Sequence, residues 1–181
     1  HFENYEKKVF LDIGYEKSCI NIFDKKRLVH FYSIPLGGNH VTKDISKVLK
    51  ISEKESEDLK QNFNRTETVF SDESKEGFIS LDLIKNQSQK KISTDILNKI
   101  IYARLDEILN LSFKNIDFST VLFDKKNSIL VLTGEGSKIL NKNSIYLEDR
   151  FNFFNEMSFF EETSESICRA GFNFLKNSNL H

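Results

Sequence analysis

The chain is poor in the residues that build cross-links, metal sites and membrane spans. Its 181 residues include two cysteines, one methionine, one proline and no tryptophan. Cys19 and Cys168 lie far apart and form no CxxC pair, so the sequence supports neither a zinc site nor a disulfide framework. No apolar run approaches the roughly 18 residues that a membrane-spanning helix needs, and no signal peptide is present. These absences fit a protein of the reducing cytoplasm.

The charges are balanced, which limits the partners that the protein can have. Charged residues make up 29% of the chain, but the net charge is only -1 and there is no strongly basic stripe. Nucleic acid is therefore not an expected partner. The sequence contains no HExxH, GxSxG or Walker lysine motif, and His30 and His40 lack metal-ligand spacing. No catalytic residue is predicted.

The composition supports a real hydrophobic core. Hydrophobic residues make up 39% of the chain, and 17 residues are phenylalanine. The length suits one sizeable domain or two small lobes. Because the chain starts at His1 rather than at a methionine, and its first strand follows within ten residues, we expect it to be a piece of a longer protein.

Two apolar runs that each end in a glycine turn are the most informative feature. The run 129–133 reads as a buried strand and is followed by Gly134 and Gly136, and the run 9–13 is followed by Gly14. Glycine lets the backbone turn sharply and approach a ligand closely. Two such strands predict a cleft for the phosphates and base of a nucleotide.

The remaining pattern predicts an α/β protein. Alternation and turn residues predict an antiparallel meander, and apolar spacing and a capping box at Ser52 and Glu55 predict helices. The predicted strands are 9–13, 18–23, 27–34, 66–70, 78–83, 129–133 and, more weakly, 145–147. The predicted helices begin near 39, 52, 93, 136 and 164, and the strands at 66–70 and 78–83 form an inserted lobe.

Five segments in this order resemble the FtsA family of bacterial cell-division proteins. That family is actin-like and belongs to the superfamily that also holds sugar kinases and Hsp70 chaperones. The likeness runs from about residue 8 to 175 and matches the second lobe of the family. Its segments are Asp12-Ile13-Gly14, Gly37-Gly38-Asn39-His40-Val41-Thr42-Lys43-Asp44-Ile45, Glu57-Asp58-Leu59-Lys60, Ala103-Arg104-Leu105-Asp106-Glu107 and Leu132-Thr133-Gly134-Glu135-Gly136.

The resemblance implies a fold and a set of partners. It implies an actin-like, ribonuclease-H-like lobe from residues 1–50 and 112–181, called subdomain 2A, with a small α+β subdomain 2B inserted at 51–111. Family members bind ATP and magnesium between two lobes and form actin-like filaments. They recruit FtsZ, through its C-terminal peptide, to the inner face of the cell membrane. We expect the first lobe and the membrane-binding helix to lie outside this chain.

The resemblance also assigns nucleotide-binding residues. Asp12, Gly14 and Ser18 would belong to the phosphate turn, with Asp12 acting on magnesium through water. Glu57 and Lys60 would hold the adenosine, and the adenine loop would contain Gly134, Gly136 and Ser137. From the residues alone, Asp12 is equally well a strand-end cap, Glu57 and Lys60 a surface ion pair, and the Gly134 loop a turn without ligand.

The phosphate turn departs from the family at Tyr15-Glu16-Lys17. Side chains at former glycine positions obstruct close backbone approach, and the Glu16 carboxylate repels phosphate unless magnesium or Lys17 offsets it. This substitution argues against ATP hydrolysis. The sequence therefore leaves open an ATP-binding scaffold, an adaptor with a decayed ATP site, and another ATPase of the superfamily.

Arg104 is out of place in an apolar stripe. It lies among Leu97, Ile101, Leu105 and Ile108, and burying an unpaired guanidinium is costly. Glu107, three residues on, can pair with it. The matching helix of the family contacts the FtsZ peptide, which implies that Arg104 and Glu107 bind a partner. The alternative is a structural ion pair within one helix.

Overall fold

The computed structural model describes residues 4–67, 78–80, 91–117, 127–140, 145–161 and 163–178. The strands are β1 (Lys7–Ile13), β2 (Ser18–Asp24), β3 (Arg27–Ile34), β4 (Phe78–Ser80), β5 (Lys91–Ser93), β6 (Ser128–Thr133) and β7 (Glu156–Phe159). The helices are α1 (Gly38–Leu49), α2 (Glu53–Glu67), α3 (Thr94–Phe113), α4 (Ile145–Arg150) and α5 (Ser164–Ser178), with a 3-10 helix at Glu135–Ile139. The mixture confirms the predicted α/β class.

One five-stranded sheet, in the order β3-β2-β1-β6-β7, positions the site. The first three strands form the predicted antiparallel meander. β1 and β6 run parallel and side by side, with Asp12 opposite Thr133. Because the carboxyl ends of parallel strands meet at one edge, the Gly14 and Gly134 turns are neighbours. The predicted adjacency of the two glycine-ended strands is confirmed.

The burial of each strand matches its place in the sheet: strands with one buried face alternate, and the central strand is buried throughout. β1 and β2 alternate, and they bury Val9, Leu11, Ile13, Ile20 and Ile22 completely. β6 lies between β1 and β7 and is buried at every position. This central strand carries the continuous apolar run that the sequence shows.

Helices α1, α2 and α3 form a connected group, of which α3 packs against the meander. α3 buries its predicted stripe of Leu97, Ile101, Leu105 and Ile108 and contacts α1, β2 and β3. α2 begins with the predicted capping box, in which the Ser52 N–H donates to Glu55 at 2.8 Å and the Glu55 N–H donates to the Ser52 hydroxyl at 3.2 Å. α1 packs against both α2 and α3.

Several predicted elements are wrong or incomplete. The strand predicted weakly at 145–147 is wrong, because these residues begin helix α4, in which Leu147 is buried and the Tyr146 hydroxyl bonds to Asp106 of α3. Helix α2 continues through residues 66 and 67, where a strand was predicted, and 68–70 lie outside the described residues. Of the strand predicted at 78–83, residues 78–80 form β4 and 81–83 lie outside the described residues. The sequence pattern missed β5 and β7.

Helix α5 begins at Ser164 as predicted, and its Ile167 side chain is 59% exposed. The division into 1–50, 51–111 and 112–181 stays a prediction.

Within the ranges that the structure describes, no helix combines the length and the apolar character that crossing a bilayer requires.

Candidate functional site

A cavity of about 340 Å³ lies where the β1–β2 turn, the start of α1, helix α2 and the turn after β6 meet. It is lined by Gly14, Tyr15, Gly38, Glu57, Lys60, Gln61, Glu135, Gly136, Lys138 and Ile139. Four of the residues that the resemblance implies therefore line one cavity: Gly14, Glu57, Lys60 and Gly136. Tyr15, which belongs to the altered phosphate turn, lines it as well, whereas Gln61 and Lys138 were not predicted because only the fold brings them to this space.

Glycines form the floor of the cavity because three backbone segments touch there. A Cβ atom on Gly38 would lie 3.3 Å from the Cα of Gly136. A Cβ atom on Gly136 would lie 2.6 Å from the Ile13 Cγ2 and 2.7 Å from the Ile13 carbonyl oxygen. No larger residue fits at this contact without moving the backbone. The glycine motifs in the sequence thus mark a real close approach of α1, β1 and the turn after β6.

Gly134 is required for a second reason. Its φ angle is +83°, in the region that side chains disfavour, and a Cβ atom there would lie 2.2 Å from the Asp12 Oδ1. The half-buried Asp12 carboxylate therefore lies directly against the turn that follows β6. This position, beside Gly14 at the carboxyl end of β1, suits a carboxylate that acts on a metal through water.

The β1–β2 turn is bound to the N-terminus of α1. The Gly38 N–H donates to the Gly14 carbonyl and the Asn39 N–H to the Tyr15 carbonyl, both at 2.8 Å. The Asn39 side-chain amide donates to the Glu16 carboxylate at 2.7 Å. The N–H groups at a helix start normally attract anions. Here these two are already bonded, so they are not available to a phosphate.

A buried lysine connects α2 to α1 at the cavity wall. The Lys60 ammonium, 8% exposed, donates to the Gly38 carbonyl at 3.1 Å, to the Thr42 hydroxyl at 2.8 Å and to the Glu57 carboxylate at 2.6 Å. The Thr42 hydroxyl donates to Glu57 at 2.6 Å. Glu57 and Lys60 are thus part of a hydrogen-bond network across two helices and are not an isolated surface ion pair. Thr42 stands in the Gly-Gly-x-x-x-Thr segment, but no role was predicted for it.

The network sets the charge state of Glu57. Burial raises the pKa of this carboxyl, but hydrogen bonds from Lys60, Thr42 and Gln61 outweigh burial and hold the pKa below its usual value. The carboxylate is therefore ionised at neutral pH. It has the chemistry to accept hydrogen bonds from hydroxyl or amino groups of a ligand.

Ser18 and Ser137, which the resemblance implies as nucleotide-binding, do not line the cavity. The Ser18 hydroxyl donates to the Leu36 carbonyl at 2.7 Å, and Ser18 is 1% exposed. The Ser137 hydroxyl donates to the Gly134 carbonyl at 2.7 Å and holds that turn closed. Within the described ranges, no group of three or more His, Cys, Asp or Glu side chains could hold a metal directly.

The rim of the cavity carries exposed charges. Lys138 pairs with Glu135 at 2.9 Å and with Glu161 at 3.0 Å. Hydrogen bonds to Glu135 and then Glu161 raise the pKa of Lys138. Lys138 is 52% exposed and Glu135 is 80% exposed, so these charges are screened by solvent. The loop after β6 therefore presents its Glu135 side chain at the surface, where it pairs with the Lys138 ammonium.

Arg104 connects α3 to α1, on a side of α1 that does not line the cavity. Its Nε donates to the Asp44 carboxylate at 2.6 Å, and its Nη1 donates to Glu107, which confirms the predicted pairing with Glu107. The hydrogen bond to Asp44 raises the pKa of Arg104 further, and the side chain is 22% exposed. Asp44 was missed, because its contact joins residues 60 positions apart.

The next residues of α3 hold helix α4. The Asp106 carboxylate accepts hydrogen bonds from the Tyr146 hydroxyl at 2.6 Å and from Arg150 at 2.8 Å. Burial and then the bond to Asp106 raise the pKa of Tyr146. The Tyr146 ring packs on Tyr102, which packs edge-on against the buried Phe63 of α2. Helix α3 is thus fixed to its neighbours on several sides.

Comparisons with known proteins agree on one family. The family model described as "Cell division protein FtsA" matches residues 9–177. The FtsA protein of Streptococcus pneumoniae is 31% identical over 124 residues, which are 68% of this chain and 26% of that protein. The chain thus spans about a quarter of the length of that relative.

Solved structures share the fold. MreB5 of Spiroplasma citri, bound to AMPPNP, superposes with a TM-score of 0.61 at 19% identity over 89% of this chain and 49% of that one. An archaeal actin homolog superposes with a TM-score of 0.54 at 12% identity over 83% of this chain and 40% of that one. The predicted actin-like α/β fold is confirmed.

Proposed function

Because this chain belongs to the FtsA family of cell-division proteins, we propose that it forms one side of an ATP-binding cleft in an actin-like division scaffold. The observation that carries the proposal is the 340 Å³ cavity whose floor is glycine and whose wall is the network of Lys60, Glu57 and Thr42. A cavity with a few convergent polar groups is the usual form of a small-molecule site. The solved MreB5 structure is bound to AMPPNP.

The residues of the cavity fit the nucleoside part of ATP. The Glu57 carboxylate would accept a hydrogen bond from a hydroxyl group of the sugar, with Lys60 fixing the orientation of that carboxylate. The glycine turn at Gly136 would lie against the base. Asp12 would orient the magnesium ion through water. ATP, when bound, would supply the phosphate groups on which an actin-like scaffold depends.

The phosphate end of the cleft supports a scaffold more than an ATPase. Two N–H groups at the start of α1 are bonded to the β1–β2 turn, and Glu16 adds a carboxylate beside them. This geometry argues against a hydrolysing member of the superfamily. We assign no catalytic residue.

Titration of the full-length protein with ATP and magnesium tests the nucleotide proposal, because this chain would form only one side of the cleft. Lys60→Met should weaken binding about tenfold, equivalent to about 1.4 kcal/mol, whereas Lys99→Met, at an exposed ion pair on α3, should not change it. Gln61→Trp, at an exposed position on the cavity wall, should block binding without touching the core. Absence of saturable binding at millimolar ATP would remove the nucleotide from the proposal and leave the adaptor.

We further propose that the α3 surface around Arg104 and Glu107 binds the C-terminal peptide of FtsZ. Arg104 keeps 22% of its surface exposed while Asp44 and Glu107 fix its orientation, so its guanidinium is presented in a defined direction. A partner segment could place apolar side chains beside it and a carboxylate on it. In the family this interaction recruits FtsZ to the cytoplasmic face of the membrane, where filaments of the scaffold assemble.

Peptide binding has its own test. Arg104→Glu should weaken the affinity for an FtsZ C-terminal peptide at least tenfold, or about 1.4 kcal/mol. Arg169→Glu on α5 is the matched control, because Arg169 also pairs with a glutamate but lies 71% exposed on another helix. Equal affinities for the wild-type chain and Arg104→Glu would move the peptide site away from α3.

A further inference from the structure

The hairpin of β2 and β3 carries a surface that the proposed function does not use. At its tip Lys25, Lys26 and Arg27 follow one another and all three are exposed. Leu28, Val29 and Phe31 come directly after them and are 53%, 50% and 59% exposed. β3 is the last strand in the order of the described sheet, so this surface lies at an edge. An apolar patch beside a basic cluster is unusual on a free protein surface.

A bulge brings the three apolar side chains to one face. Phe31 is opposite Asn21, Leu28 is opposite Phe23, and the register shifts between Ile22 and Phe23, so β3 carries one extra residue there. A bulge turns the side chains of two successive residues to the same side of a sheet. That side is opposite the buried Ile22, and it is the side on which Phe10 packs edge-to-face against Phe23 at 5.8 Å. The exposed patch therefore continues onto a half-buried aromatic surface.

The basic tip includes a residue in a left-handed backbone conformation. Lys25 has a φ angle of 56°, in the left-handed region where glycine and asparagine are preferred. The neighbouring Asp24 is already paired with Lys7 at 2.7 Å. The tip is thus locally basic on a chain whose net charge is -1.

We propose that the β2–β3 hairpin binds an anionic lipid surface. The three basic side chains would contact lipid phosphates, while Leu28, Val29 and Phe31 would enter the boundary between headgroups and acyl chains. A combination of basic and apolar side chains on one exposed face is what such an interface attracts. A negatively charged membrane and this patch are complementary in both charge and polarity. This contact is independent of the nucleotide cavity.

Co-sedimentation of the chain with vesicles tests the proposal. Vesicles of phosphatidylglycerol and phosphatidylethanolamine should bind the wild-type chain, and vesicles of phosphatidylcholine alone should bind it at least tenfold less. The double variant Lys25→Glu, Lys26→Glu should lower the partition coefficient at least tenfold, because each basic residue near an anionic surface contributes to binding. Phe31→Ser should lower it about threefold to fivefold.

Matched controls keep the result interpretable. Ile96→Ser and Lys99→Glu change an exposed apolar and an exposed basic residue on α3, and neither should alter the partition coefficient. All variants should unfold at the same urea concentration as the wild type, since the changed side chains are exposed. The proposal is overturned if anionic vesicles bind the wild type no better than phosphatidylcholine vesicles do. It is also overturned if the hairpin variants bind vesicles as the wild type does. If those variants instead lose self-association in sedimentation velocity, the surface is a contact between copies of the chain.

Discussion

The ion pair between Arg104 and Asp44 should stabilise the fold more than an exposed pair does. The Arg104 and Asp44 side chains are only 22% and 24% exposed, and their atoms approach to 2.6 Å. A hydrogen bond to a charged group contributes roughly 1.5–3 kcal/mol, whereas an exposed pair one helical turn apart contributes about 0.3–0.5 kcal/mol. After allowance for partial solvent screening, we expect a coupling energy of about 1.5 kcal/mol.

A double-mutant cycle measures this coupling. The variants are Asp44→Ala, Arg104→Ala and both together, each unfolded with urea. The pair of Asp95 and Lys99 supplies a parallel cycle on the same helix, because its atoms approach to 2.7 Å while its side chains are 69% and 75% exposed. The reasoning is refuted if the coupling energy of the Asp44 pair is no larger than that of the Asp95 pair.

Two further predictions concern the cleft. Gly134→Ala should lower the free energy of unfolding by about 2 kcal/mol or more, because the added Cβ atom would meet the Asp12 carboxylate at 2.2 Å with φ at +83°; a urea midpoint equal to that of the wild type would contradict this. The pKa of Glu57 is lower in the folded state than its usual 4.5, so its contribution is present above that value and is lost as the pH falls through the folded pKa. Glu57→Gln should therefore flatten the decline of stability with acid, and an unchanged pH profile would show that Glu57 does not titrate with folding.

Local patterns were enough to predict the elements that bury one regular face. The alternation in β1 and β2 and the stripe of Leu97, Ile101, Leu105 and Ile108 in α3 were recognisable because burial repeats with the period of the backbone. The glycine turns were recognisable because close backbone contact excludes side chains. The strand prediction for residues 145–147 was wrong because three apolar or aromatic residues are too few to distinguish a strand from a short helix.

The missing parts of the site depend on contacts between distant segments. Thr42 meets Glu57 across 15 positions, and Asp44 meets Arg104 across 60. Neither contact produces a periodic pattern in the sequence. Propensity and spacing could therefore identify the helices, but not which side chains of different helices contact each other. The resemblance supplied Glu57 and Lys60, and the structure added the residues that orient them.

Helix α1 joins the proposed nucleotide cavity to the proposed peptide surface on α3. Thr42 and Asp44 are two positions apart, which places them on different sides of the helix. Thr42 contacts Glu57 and Lys60 at the cavity wall, and Asp44 contacts Arg104 of α3. Because a short helix moves as a unit, a ligand that shifts α1 at the cavity must also act on the Asp44 pair. Any such coupling is reciprocal, so peptide bound beside Arg104 must change nucleotide affinity by the same factor by which nucleotide changes peptide affinity.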